Sequence, residues 1–586
     1  MCSSLLIHIR KRSSAVLAVR QQSFLSRPRH YLHQQVERKR STAIQPALRK
    51  ARKDGSDEEI EEEELYRYTR YRWLFSEPEK LAVRYRKFNL QALLDAAVNS
   101  AGNGAKSCVK VLKCVEGQFN KAFLLTMDNQ FEVFAKIPNP NAGPNFFTTA
   151  SEVATRHFLR EVLGLPIPRI YASSSDPSNA VGAEYIIEEK ACGQPLGTLW
   201  DQWSIESRLD MVSQIVDLER KLTSISFPKH GCIYYKTDLD GKGLDTEDLT
   251  TELVTTDSLT TKLDPSIIKR FTLGPSTDAR FWERERAKMC LDRGPWYDTL
   301  EYIKALGSNE IKHIKSYAKP RMNFHRSMKI PESPNDFLIL LSRYMTLAPY
   351  LVPATSNGVL ARTLSHPDLH LDNLFVDADT GKITNIIDWQ STSVCEMFLQ
   401  RAVPPIFSHP NLCSFDQTTE GEPERHGTNK AEKELTDVLR HYEQLTKGCN
   451  PRRWAAWRQD YIPILTKPVS LVCSAWNQED VFSFRHALLS VIVHWEKIAP
   501  EIPCPVQFTE RELQLHQDEM ELLEGLGTIM HQLQDENLVP LGGMVLSENY
   551  EQAQHINDQV REMFISLAEN EEQRILCSKI WPYQDG

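Results

Sequence analysis

The stretch SHPDLHLDNLFVD, residues 365–377, sets two histidines and two aspartates at alternate positions: His366, Asp368, His370 and Asp372. On a β-strand all four side chains would share one face and could grip a metal ion. That reading makes the chain a metallohydrolase. On a loop the spacing that matters is Asp368 to Asn373, with an apolar strand directly behind. Pro367 and the Asp372–Asn373 pair are loop formers rather than strand interior. A hydrolytic metal site also needs further ligands, and no second His/Asp cluster at ligand spacing follows.

Read as a loop, the stretch continues through LFVD, a turn at ADTGK and ITNIIDWQ, two apolar strands with a tight connection. Asp368, Asn373 and Asp388 then converge beside one hairpin. Phosphoryl transfer uses these parts: one aspartate accepts the proton of the attacking hydroxyl, while an asparagine and a second aspartate hold Mg²⁺ against the phosphates of ATP. Mg²⁺ suits such oxygen ligands, with one or two carboxylates and the phosphates supplying the rest.

The same chemistry demands a lysine on the third strand of an upstream β-rich lobe and a glutamate on the helix after it. FEVFAKI carries Lys136, whose charge among apolar neighbours asks for a partner. Glu152 stands at the start of the following helix, with Glu161 as the fallback partner. Thr149-x-x-Glu152 is also a capping box, so Glu152 has a competing structural use. The phosphate-covering loop lies in VEGQFNKAFLL. It has a single glycine, Gly117, with backbone amides from Gln118, Phe119 and Asn120 available to lie over phosphates.

These residues need elements to position them. CVKVLKCVE, AFLLTM, FEVFAKI and AEYIIEE read as strands, the first three joined by short hairpin connections. Between the third and fourth, Ala150, Ala154, Phe158 and Val162 repeat every four residues as a helix stripe, which GLPIP ends. The fold class expected is therefore α+β, with two lobes. A basic presequence or disordered segment (1–53) precedes an acidic linker (54–64) and a helical extension (65–106). A β-rich N-lobe (107–190) and a mostly helical C-lobe (191–586) follow. Within the C-lobe, 365–390 is the catalytic loop, 237–335 a peripheral insert and 414–434 a mobile loop with almost no apolar content.

At this point the sequence resembles the aminoglycoside phosphotransferase family, a branch of the protein-kinase-like fold. HPDLHLDNLFVDADTGKITNIIDWQ is similar to that family's H-G-D-x-H-x-x-N…I-D-W-E signature. RYTRYRWLF, EGQFNKAFLLTMDNQFEVFAKIP and TASEVATRHFLREVLGLPIPRIYA, in that order, are more similar still to a fungal mitochondrial subgroup, the altered inheritance of mitochondria protein 9 family. The resemblance covers roughly residues 65–400. It implies Asp368 as catalytic base, Asn373 and Asp388 on Mg²⁺, and Lys136 on the phosphates of ATP, paired with Glu152. It further implies that Glu189 and Ala191 meet adenine through their backbone, and that His366 and His370 brace the loop. Pro367 stands where the family has glycine and Gln390 where it has glutamate. No D-F-G segment follows the loop to mark an ordinary protein kinase.

Composition limits the alternatives. The chain is 41% hydrophobic and 25% charged with a net charge of −9, which argues against general nucleic-acid binding. LYRYTRYRWLF alternates aromatic and basic residues, a pattern that serves either base stacking or an amphipathic element clamped onto the body; the overall acidity favours the clamp. Twelve cysteines without a C-x-x-C pair indicate neither zinc nor a disulfide framework. No run approaches a membrane span. Residues 1–36 hold no Asp or Glu but carry Arg10, Lys11, Arg12, Arg20, Arg27 and Arg29, the composition of a mitochondrial transit peptide. The expectation is a mitochondrial, ATP- and Mg²⁺-dependent phosphotransferase acting on a hydroxyl of a small molecule. The rival is a noncatalytic kinase-like protein that binds nucleotide or partners and supports mitochondrial inheritance or organisation.

Overall fold

The computed structural model describes residues 46–52, 54–102, 104–249, 252–253, 264–354, 358–407, 430–535 and 541–585. The basic segment 1–45 and residues 414–429 of the expected mobile loop lie outside the described residues. Opposite charges open the fold. The basic strand Ala47–Ala51 (β1) pairs antiparallel with the acidic strand Asp57–Glu59 (β2). Arg49 meets Asp57 at 2.6 Å, Lys110 meets the same carboxylate at 2.7 Å, and Arg52 pairs with Glu58. The stretch expected as presequence end and solvated linker is thus the edge of a sheet, because its two charge blocks neutralise each other across a hairpin.

After Tyr71–Trp73 (β3) come Cys108–Lys113 (β4), Asn120–Met127 (β5), Glu132–Pro138 (β6), Ile170–Ser174 (β7) and Tyr185–Glu189 (β8). The sheet runs β2-β1-β4-β5-β6-β8-β7, with β1 parallel to β4 and its other neighbours antiparallel. Strand alternation divides its two faces. Phe123, Leu125, Met127, Val133, Ala135 and Ile137 are buried with Leu93, Leu94 and Ala97 of the helix Leu90–Ala101. Ala122, Leu124, Phe134 and Lys136 therefore share the other face, toward the cleft.

The aromatic and basic run before the sheet is a clamp. Leu65, Tyr66, Tyr68, Trp73 and Leu74 are buried, and Arg84 lies over the Trp73 ring at 4.4 Å. The C-terminus returns to this clamp: Met544–Leu546 pairs antiparallel with β3.

The helix Phe147–Glu161 belongs to both lobes. Ala150, Ala154 and Phe158 are buried as the stripe requires, and Val162 just beyond it. Phe158 meets Phe271 edge-to-face at 5.5 Å, within the core that holds the helix Ile205–Leu222. The second half of the expected peripheral insert 237–335 is also core rather than periphery. Ile303 and Leu306 of the helix Thr299–Tyr317 are fully buried against the helix Pro334–Leu347, where Tyr344 donates to the Ile303 carbonyl at 3.0 Å. Lys430–Glu434, the tail of the expected loop, starts the helix Lys430–Cys449. Thr509 and Glu512 form the expected capping box of the helix Glu510–Asp535, exchanging bonds of 2.8 and 3.3 Å. Among the described residues no helix is long and apolar enough to cross a membrane. The result is an α+β fold with a seven-stranded N-terminal sheet and a mostly helical remainder.

Candidate active site

Lys136 lies near the end of β6 with its ammonium buried between two acidic groups. Nζ donates to Glu152 Oε1 and Oε2 at 2.9 and 3.0 Å, and to Asp388 Oδ1 at 2.8 Å. The pairing reaches from β6 to the long helix and across the cleft to the C-lobe. The helix begins at Phe147 with no side-chain cap, so Thr149 lies inside it and the alternative capping box does not form. Glu161 turns away to pair with Arg270. Arg156 flanks Glu152 at 3.8 Å and pairs with Glu188, extending the network behind the lysine.

Burial alone would lower the Lys136 ammonium, but Asp388 and Glu152 outweigh it and hold it protonated well above its ordinary value. Burial would likewise raise the Asp388 carboxyl, but Lys136 beside it holds that carboxyl below the usual range. Glu188 lies above its ordinary value because burial outweighs the Arg156 charge.

The loop 365–373 is set by its histidines. His366 Nε2 donates to the Ile387 carbonyl at 2.9 Å while Nδ1 accepts from the Asp368 amide at 3.1 Å. Both ring nitrogens are thereby occupied by backbone, which leaves none for a metal. Burial pushes this imidazole down to about 4, so it stays neutral at pH 7. His370 Nδ1 accepts from the Asp372 amide at 3.2 Å. The alternating residues thus form a braced loop, not a metal-binding strand face.

The Asp368 side chain is 59% exposed, with His370 Nε2 3.5 Å away. Its carbonyl accepts from Asn373 Nδ2 at 2.9 Å, which spends the donor side of a buried amide and leaves the oxygen for another role. The strands Leu374–Val376 and Ile383–Ile386 pair as the expected hairpin and deliver Asp388. Asp388 has φ +60°, a left-handed backbone that Asp tolerates better than most residues. Its neighbour Trp389 is fully buried against His366, their rings 4.4 Å apart.

The covering loop is tied from outside. Glu116 Oε2 accepts from the Thr69 amide at 2.8 Å, and its other oxygen meets the buried Lys113 and Lys121 at 3.1 and 3.3 Å. Gln118 Oε1 accepts from Arg84 Nη2 at 3.0 Å. Gly117 has open space around it, and Phe119 is half exposed. Asn120 reaches across the cleft to Gln390 at 2.7 Å, a contact that motif spacing could not reveal because it joins residues 270 positions apart.

The segment after β8 is built differently. Glu189 ends β8 with its carboxylate accepting from the Arg169 amide at 3.1 Å. Ala191 precedes Cys192, whose amide donates to Asn385 Oδ1 at 2.7 Å, fixing this segment to the hairpin. Gln194–Pro195 (β9) then joins Leu374–Val376. Gly193 permits the close approach: it has φ +87°, and a Cβ there would stand 2.3 Å from the Val376 carbonyl oxygen. Gly193→Ala is expected to lower stability by about 1–3 kcal/mol. Urea unfolding monitored by tryptophan fluorescence checks this, and an unchanged midpoint would refute it.

No family model matches the chain. A subtelomeric hrmA-associated cluster protein of Aspergillus fumigatus is 30% identical over 522 residues, covering 82% of this chain and 97% of the relative. Altered inheritance of mitochondria protein 9, mitochondrial, of Lachancea thermotolerans is 22% identical over 473 residues, covering 74% and 73%. Among solved structures, a thermostable mutant of aminoglycoside phosphotransferase APH(4)-Ia, in ternary complex with AMP-PNP and hygromycin B, has a TM-score of 0.34 at 13% identity. It matches over 70% of this chain and 99% of that one. The chain belongs to the family of this subtelomeric hrmA-associated cluster protein of Aspergillus fumigatus.

Proposed function

We propose that the chain is a mitochondrial, Mg²⁺- and ATP-dependent phosphotransferase that moves the γ-phosphoryl group to a hydroxyl of a small molecule. The observation that carries this is Lys136 held at 2.8 Å from Asp388 and 2.9 Å from Glu152, with Asn373 and Asp368 on the adjoining loop. The donor set suits the ion: one carboxylate, Asp388, and one amide oxygen, Asn373, are hard oxygen ligands too few for an all-protein cage. Bound with nucleotide, Mg²⁺ would neutralise charge on the phosphates.

Each residue has its own task in this reading. Lys136 orients the phosphates and is itself oriented by Glu152. Asp388 and Asn373 hold the ion. Asp368, exposed at the cleft, accepts the hydroxyl proton. The amides of Gly117, Gln118, Phe119 and Asn120 cover the phosphates, and the backbone at Glu189 and Ala191 meets the base. The location rests on the mitochondrial relatives and agrees with the acid-free, Arg-bearing residues 1–36.

Thermal denaturation of the purified chain with ATP, with and without Mg²⁺, tests the proposal. At a hundred times the dissociation constant, binding stabilises the fold by about 2.7 kcal/mol. The expected result is a Mg²⁺-dependent rise in Tm that Asp388→Ala abolishes. A cooperative melt that nucleotide does not move would refute it and favour the noncatalytic alternative.

A further inference from the structure

Two amides meet across the cleft beside the Lys136–Asp388 pair. In the β5–β6 register Ala122 stands opposite Lys136 and Asn120 opposite Pro138, so Asn120 shares the cleft face with the lysine. Its Nδ2 donates to Gln390 Oε1 at 2.7 Å, and Gln390 Nε2 donates to the Ala142 carbonyl at 2.7 Å. One C-lobe side chain, two positions after Asp388, thereby holds both the covering loop and the connection that follows β6. Those two segments are already joined: the Asn139 amide donates to the Phe119 carbonyl at 2.8 Å, and Asn141 Nδ2 to the Gln118 carbonyl at 3.3 Å.

The direction of each amide follows from chemistry. The Ala142 carbonyl only accepts, so Gln390 must turn its nitrogen there and its oxygen to Asn120. Asn120 must then offer nitrogen, and its own Oδ1 is left buried without a partner among the described residues. Asn139 next to it is 2% exposed, and its side-chain oxygen and nitrogen both lack a partner among the described residues. Buried amides in this state mark a place where a further polar group belongs.

We propose that Gln390 and Asn120 form an interlobe clasp that positions the covering loop over Lys136 and Asp388 for a bound nucleotide, with Gln390 as the positioning residue. The nucleotide part of this rests on the phosphotransferase reading above. Glutamate cannot replace Gln390, because a carboxylate has nothing to donate to the Ala142 carbonyl and would set a further negative charge beside Asp388. Aspartate at position 120 breaks the other half, since it has no donor for Gln390 Oε1.

Amide hydrogen exchange and Mg-ATP affinity, measured on wild type, Gln390→Glu and Asn120→Asp, test the clasp. Each variant should speed exchange in residues 117–120 and 139–143 about tenfold without nucleotide, and weaken Mg-ATP binding about tenfold, the equivalent of one lost hydrogen bond. Exchange elsewhere should match wild type, which separates the effect from misfolding. Unchanged exchange in both variants overturns the clasp. Faster exchange with unchanged Mg-ATP affinity overturns its role in positioning the loop for nucleotide. Faster exchange in a wild-type background that binds no Mg-ATP supports the clasp and refutes the phosphotransferase reading instead.

Discussion

Asp368→Asn should reduce phosphoryl transfer by about 10²–10⁴-fold while leaving Mg-ATP affinity within about twofold of wild type. The reason is the way Asp368 is held. Its backbone carbonyl, not its carboxylate, accepts the Asn373 amide, and its side chain is 59% exposed. Asparagine therefore keeps the loop, the Asn373 orientation and the Lys136–Asp388 pair, and removes only the proposed proton acceptor. Asp388→Ala acts on the opposite side of the division, since it removes a proposed ion ligand and the Lys136 contact together. Turnover is read as ATP hydrolysis until a metabolite screen supplies the acceptor, and affinity is read by calorimetry. If both variants lose nucleotide binding equally, the assignment of base to Asp368 and ion ligand to Asp388 is wrong.

How much of this was legible in the sequence depends on the range of each interaction. The loop 365–373 and its hairpin were legible because proline, Asp-Asn and alternating apolar residues act over a few positions. The Lys136–Glu152 pair was legible because strand, connection and helix fix their separation, although a Thr-x-x-Glu pattern competed locally. Only the structure rejects the capping box, by starting the helix at Phe147.

Three failures have physical causes. Basic and acidic blocks in succession resemble solvated linker, yet Arg49, Arg52 and Lys110 pair with Asp57 and Glu58, so the charges specify a hairpin at the sheet edge. The half-exposed strand β7 carries too little alternation to stand out. The insert 237–335 is polar on average, but its helix Thr299–Tyr317 buries one face in the C-lobe core, which average composition hides. Gln390 stands out in the sequence only as a departure from a family pattern. Its two partners, Asn120 and Ala142, come from the other lobe and leave no local trace.

Lys136→Met should destabilise the fold by about 3 kcal/mol at pH 7, an effect larger than its loss of packing explains. The substitution leaves Glu152, buried to 3% exposure, with Arg156 at 3.8 Å as its remaining cation, and Arg156 is shared with Glu188. Asp388 loses its partner too, but its side chain is 41% exposed and water takes up part of that loss. The pH dependence separates the contributions. The Asp388 carboxyl is held below its ordinary value in the folded state, so its stabilisation is present above the unfolded value of about 3.9 and is lost as pH falls through the lowered one. Lys136 is raised, so its contribution stays intact below its unfolded value of about 10.4 and vanishes only in strong base. The gap between wild type and Lys136→Met should therefore hold from pH 5 to 8 and narrow below about pH 4. Adding Glu152→Gln to Lys136→Met should recover much of the loss, because the buried charge disappears with its partner. Denaturant melts across pH read all three variants. A Lys136→Met protein as stable as wild type at pH 7 would mean that the buried pair contributes nothing to the fold. The lysine would then be held in place for nucleotide binding alone.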